Sequence, residues 1–219
     1  MFVIGMTGNA GCGKSFVCGC AAELLRCPVI DSDSVCRDLM MPGRRVFDDV
    51  VKTFGSSYVG ADGYLDRGKL AATVFNDEDA RKLLNSLTHP ATILEIRSMI
   101  AEYERKGFGI VIVESALAEE AGYRDFCDEL WLVTAPKEDR IERLRTRGYS
   151  DAKIAGVMES QTSQKALLAA GLREIANGNG VGKCDIFRAI TDNLDDALTR
   201  PVWRKLLRRD SCHSAENMV

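Results

Sequence analysis

One octapeptide near the start of the chain limits what the rest can fold into. Gly8-Asn9-Ala10-Gly11-Cys12-Gly13-Lys14-Ser15 satisfies G-x-x-x-x-G-K-[ST]. Its glycines let the backbone curl until successive N–H groups point inward, which makes a concavity for anionic oxygens. A helix starting at the loop adds its positive dipole end. From such a loop Lys14 reaches the β- and γ-phosphates of a nucleotide, and the Ser15 hydroxyl can ligate Mg²⁺. The flanks fit the motif. Residues 2–7 are nearly all apolar, as in a strand buried on both faces, and Phe16, Val17, Cys20, Ala21, Leu24 and Leu25 recur at helical spacing. Gly11, Cys12, Gly13, Lys14, Ser15 and Phe16 are therefore the expected nucleotide-binding residues of a site for a nucleoside triphosphate.

The same alternation continues along the chain. Cys27-Pro28 ends the first helix, and residues 29–31 read as a second strand. Residues 33–41 read as a helix closed by Pro42-Gly43. Further strands are expected at 109–113, 130–134 and 172–176. Helical patterns fall at 70–75, 79–87, 91–105, 136–147, 150–168 and 185–198, with the basic stretch 203–209 extending the last one. Short buried strands alternating with helices give an α/β fold, a doubly wound parallel five-stranded sheet of the P-loop NTPase type. The long helical stretch between the second and third strands is an insertion able to close over a substrate.

A net charge of −3 on 219 residues, with both signs abundant, argues against a general nucleic-acid or membrane-surface binder. The apolar run at residues 2–6 is too short for a signal peptide, and no stretch approaches a membrane span, so a cytoplasmic protein is expected. Eight cysteines are present, but no Cys-x-x-Cys pair or zinc spacing occurs. They read as small buried hydrophobes in a reducing compartment. Cys12 is expected to be partly exposed within the loop, with a redox role as the alternative.

Neither the guanine-reading Asn-Lys-x-Asp nor the Asp-x-x-Gly of a GTPase switch is present. The third strand ends in Glu114, only a weak echo of the acidic strand end of motor ATPases. Val29-Ile30-Asp31-Ser32-Asp33 says more. A carboxylate just past a strand beside the phosphate-loop strand would point into the ligand crevice and could take a proton from an attacking hydroxyl. Asp31, Ser32 or Asp33 could equally cap the next helix. From this segment alone both readings stand.

With these segments Phe54-Gly55, Asp62-Gly63-x-Leu65-Asp66-Arg67, Val74-Phe75, Leu84-Asn85, His89-Pro90 and Glu142-Arg143-Leu144-x-x-Arg147 follow in order. The chain resembles the dephospho-CoA kinases over roughly residues 2–195. The resemblance implies transfer of the ATP γ-phosphate to the ribose 3′-hydroxyl of dephospho-CoA, with Mg²⁺. It implies a nucleotide-binding core (1–41, 109–147 and 170–209), a helical acceptor domain (42–108) and a lid (148–169); the terminal residues 210–219 are expected to be a disordered tail. Asp33 is then the general base and Lys14 the residue that neutralises the transferring phosphoryl. Arg67 and His89 fall on the acceptor side, and Asn177 in the late loop near the adenine. Arg143 and Arg147, one helical turn apart, reach ATP phosphates when the lid closes.

Without the family Arg67 reads as a surface arginine, His89 as a structural histidine, and Arg143 and Arg147 as part of a solvated helix face. The expected partners are dephospho-CoA and ATP, with no nucleic acid, membrane or obligate protein partner. The other readings are a different hydroxyl-directed P-loop kinase, or an ATP-binding regulatory protein without transfer activity. Four departures stand out. Phe16 replaces the Thr usual after the loop serine, and Val157 replaces a lid arginine while Gln161 is kept. Gly171-Leu172 stands for Ala-Asp, and residues 115–119 replace the usual Pro-Leu-Leu-Phe-Glu. The first two should each weaken ATP contacts by about 1–3 kcal/mol.

Overall fold

The computed structural model describes residues 1–116 and 122–199, so the expectations for 117–119 and for the stretch beyond 199 lie outside the described residues. Five strands form one parallel sheet in the order β2-β3-β1-β4-β5: β1 (Phe2–Thr7), β2 (Val29–Asp31), β3 (Ile110–Glu114), β4 (Glu129–Thr134) and β5 (Arg173–Ala176). All six residues of β1 and of β4 are buried, because a strand covered on both faces has no solvent side. β2 pairs with β3 in the register Asp31↔Glu114, and β4 with β5 in the register Thr134↔Ala176. The expectation that β2 lies directly beside β1 is not met: β3 takes that place. The β1-to-β2 connection skips one position, which the chain fills only after the helical insertion.

Residues 1–5 and the described residues of 27–127 make one compact unit. After β2 come α2 (Ser32–Leu39), α3 (Arg45–Phe54), α4 (Arg67–Asn76) and α5 (Glu78–Arg105). Val46, Val50, Leu65 and Leu70 form a small core on which Leu84, Leu87 and Ala91 of α5 pack. Two separate helices were expected around His89-Pro90, yet α5 runs through Pro90 for 28 residues. Proline removes one i→i−4 donor and crowds a carbonyl. Packing of α5 against α2, α3 and α4 outweighs that local cost.

The second unit takes residues 6–26 and the described residues from 128 onward. α1 (Lys14–Leu25) ends at Arg26 in the left-handed region, φ 50°, before Cys27-Pro28. α6 (Lys137–Thr146), α7 (Asp151–Ser160), α8 (Gln164–Ala169) and α9 (Lys183–Thr199) complete it. The single helix expected over 150–168 is two. Gln161 turns extended (ψ 141°), and Ser163 restarts the chain by accepting the N–H of Ala166 at 3.1 Å. That break places Gln161 against the phosphate loop.

Candidate active site

The loop that follows β1 has its glycines where conformation and space demand them. Gly11 (φ 81°) and Gly13 (φ 83°) lie in the left-handed region. A Cβ on Gly11 would sit 2.6 Å from the Arg140 carbonyl, and one on Gly13 would collide with the Asn177 amide nitrogen. Lys14 folds back across the loop and donates from Nζ to the Gly8 carbonyl at 3.1 Å. Ser15 and Phe16 are exposed in the first turn of α1. Cys12, expected to be partly exposed, is only 1% exposed. The curl that turns the N–H groups inward sends this side chain into the core, and burial pushes its thiol pKa up against the opposing influence of Lys14, Arg140 and Arg143.

Around the loop stands a cage of side chains. Arg140 is buried, donating from Nε to the Ala10 carbonyl at 2.9 Å and from Nη2 to Gln161 Oε1 at 3.1 Å. Gln161 Oε1 also accepts the Ala10 N–H at 3.0 Å, and Asn9 Nδ2 donates to the Thr162 carbonyl at 3.0 Å. Arg143 Nη1 donates to the carbonyls of Gly11 (3.4 Å) and Cys12 (3.3 Å). Asn177 Nδ2 donates to the Cys12 carbonyl at 2.7 Å. Every outward-turned carbonyl from Ala10 to Cys12 thus has a donor, which leaves the curl no slack. Arg147, one turn beyond Arg143, is exposed and lines a cavity with Gly13, Phe16, Arg143 and Asn177. Arg145 is exposed and pairs with Asp151 at 2.9 Å.

Sequence reasoning missed the buried member of this cluster. Arg140 is not singled out among the charged residues of 136–147. Its signal was the helical offset from Arg143, which puts both on the side of α6 turned to the loop. Asn9, Gln161 and Asn179 were missed as loop contacts too. Asn179 Oδ1 accepts from Arg143 Nη2 at 3.2 Å, and its Nδ2 donates to Glu142 Oε2 at 3.0 Å.

In the other unit the strand-end carboxylates separate into two jobs. Asp31 is the N-cap of α2: Oδ1 accepts the Asp33 N–H at 3.0 Å, and Oδ2 accepts from Ser34 Oγ at 2.6 Å. Asp33 is the second residue of α2, exposed, and lines a cavity of about 220 Å³ with Ser32, Cys36, Asn85, Thr88 and His89. Asp33 and His89 therefore share one cavity wall. Arg67 does not line it: Arg67 opens α4, exposed, with Nη2 3.9 Å from Met41 Sδ.

Tyr123, also missed, closes the floor. Its Oη donates to Ser32 Oγ at 2.8 Å, which donates to the Glu114 carbonyl at 2.7 Å, tying the ends of β2 and β3 together beside Asp33. Burial raises the Tyr123 pKa, which keeps it a neutral donor.

Fold and loop define a P-loop kinase. The sequence model of the dephospho-CoA kinase family matches residues 2–182. The chain belongs to that family. A dephospho-CoA kinase of Moorella thermoacetica is 35% identical over 210 residues, covering 95% of this chain and 93% of that one. Another, from Geobacter sulfurreducens, is 34% identical over 183 residues, 82% of this chain and 91% of that one. Among solved structures, a Thermus thermophilus protein superposes with a TM-score of 0.72 at 28% identity, covering 91% of this chain and 98% of its own. The dephospho-CoA kinase from Campylobacter jejuni shares the fold, with a TM-score of 0.60 at 20% identity over 89% of this chain and 96% of its own.

Proposed function

We propose that the chain transfers the γ-phosphate of ATP to the ribose 3′-hydroxyl of dephospho-CoA, giving coenzyme A and ADP. The observation that carries this reading, beside membership of the family, is the division of labour at the end of β2. Asp31 takes the capping role, so the Asp33 carboxylate is left to line a cavity with His89. Asp33 accepts the proton of the acceptor hydroxyl as its oxygen attacks, with His89 and Arg67 binding the acceptor. Lys14 swings from the Gly8 carbonyl to the β- and γ-phosphates, and the loop N–H groups hold the charge that builds on the leaving ADP. Arg143 and Arg147 bind ATP phosphates, and Asn177 supports the loop from beneath.

The donor set fits Mg²⁺. Ser15 offers one exposed hydroxyl oxygen, and no cluster of three or more His, Cys, Asp or Glu exists among the described residues. Mg²⁺ characteristically takes one or two protein oxygens and completes its shell with phosphate and water. Ser15 would hold the ion, which would supply positive charge to neutralise the β- and γ-phosphates.

In this reading residues 42–108 form the acceptor domain and 148–169 the lid, anchored at rest by Gln161. We place the chain in the cytoplasm, a reading the free cysteines among the described residues support; no described helix is long and apolar enough to cross a membrane. An acceptor panel tests the assignment. With ATP and Mg²⁺, dephospho-CoA should gain one phosphoryl group far faster than adenosine, pantetheine or shikimate. A faster transfer to any of these would replace dephospho-CoA as the substrate.

A further inference from the structure

Phe16 presents an aromatic ring at the surface. It lies in the first turn of α1, 52% exposed. A single exposed apolar side chain means little by itself; its surroundings give this one meaning. It lines a cavity of about 350 Å³ together with Gly13, Arg143, Arg147 and the loop 177–181. Apart from Val181 the other lining residues are glycine, arginine and asparagine, so Phe16 is the one aromatic residue among them.

The loop opposite the ring is built beforehand. The Asn177 N–H donates to the Thr134 carbonyl at 2.8 Å, and the Val181 N–H to the Gly178 carbonyl at 3.1 Å. Gly178 packs on Pro136 so closely that a Cβ there would lie 3.1 Å from its ring. Phosphate oxygens gain nothing from a phenyl ring, whereas a planar heterocycle with polar edges matches both walls: its face on the ring, its edge on the amides.

We propose that Phe16 stacks on the nucleobase of the bound triphosphate, moving to the base the grip that a hydroxyl after Ser15 would place on the α-phosphate. This rests on the reading of residues 8–15 as the triphosphate cradle. Stacking uses a face that every base has, so the polar edge of the loop, not Phe16, discriminates among bases.

Titration calorimetry with ATP and with inorganic tripolyphosphate, on wild type, Phe16→Ala and Phe16→Leu, tests it. The side chain is exposed, so neither variant endangers the fold. Both should lose about 10- to 100-fold in ATP affinity while binding tripolyphosphate within about 2-fold of wild type. ATP affinity unchanged in either variant, or a parallel loss of ATP and tripolyphosphate, overturns the proposal. Wild type that binds neither overturns the cradle as well, whereas a wild type that binds both but phosphorylates no dephospho-CoA leaves this inference standing and removes only the acceptor assignment.

Discussion

The Nε of Arg140 donates to the carbonyl of Ala10 at 2.9 Å, across 130 residues of sequence, and a buried guanidinium thereby becomes the backing of the phosphate loop. The same side chain holds Gln161, which holds the Ala10 N–H. One arginine thus satisfies the loop and anchors the segment joining α7 to α8.

Arg140→Ala should therefore destabilise the apo protein and loosen ATP binding together. Leaving the half-buried Ala10 carbonyl unpaired costs about 1–3 kcal/mol. In a chain of this size that lowers the melting temperature by about 2–10 °C. Arg140→Lys should not rescue it, because one ammonium cannot reproduce the fork that reaches both partners. Thermal melts with and without ATP measure both effects, and an unchanged melt for Arg140→Ala would contradict the backing role.

Asp31 and Asp33 should fail in different ways. Asp31→Ala removes the cap of α2 and should cost about 0.5–2 kcal/mol of stability. Asp33→Asn should leave stability and ATP affinity in place while lowering kcat by about 10²–10⁴. Denaturant unfolding and steady-state kinetics on the two variants separate the roles, and near-wild-type turnover of Asp33→Asn would return that residue to an ordinary first-turn carboxylate.

Lys14→Ala should fold normally, since the bond it loses is an adaptable one to the Gly8 carbonyl at 3.1 Å. Turnover should fall by about 10²–10³, the usual cost of losing one donor aimed at developing charge. Quenched-flow phosphoryl transfer is the direct readout, with full activity as the contradicting result.

Cys12 should be inert despite its place in the loop. Its raised pKa means that the thiol stays protonated in the folded protein at a pH where an exposed cysteine has begun to ionise, so reactivity rises only as pH climbs further or the protein unfolds. Iodoacetamide near pH 8, followed by peptide mapping, should label the exposed Cys184 and spare Cys12 until denaturant is added. Prompt labelling of native Cys12 would show the loop to be more open than described.

Much of the fold was legible because its signals are local. Buried strands announce themselves as apolar runs, and the glycines of residues 8–13 answer to a backbone curl. What escaped was decided at long range. The insertion of β3 between β2 and β1 depends on a crossover that no local pattern encodes. α5 runs through Pro90 because tertiary packing offsets a missing hydrogen bond. Between Asp31 and Asp33, only the folded strand end shows which carboxylate reaches the N–H at the start of α2. Arg140 looked like its charged neighbours because its partners, Ala10 and Gln161, are 130 and 21 residues away.

The central claim is transfer to the 3′-hydroxyl of dephospho-CoA. Mass spectrometry and chromatography of a reaction holding ATP, Mg²⁺ and dephospho-CoA test it most directly. The account predicts ADP and a product that co-elutes with authentic coenzyme A, in equal amounts. Bound ATP with no phosphorylated dephospho-CoA, even at high enzyme concentration, would contradict it.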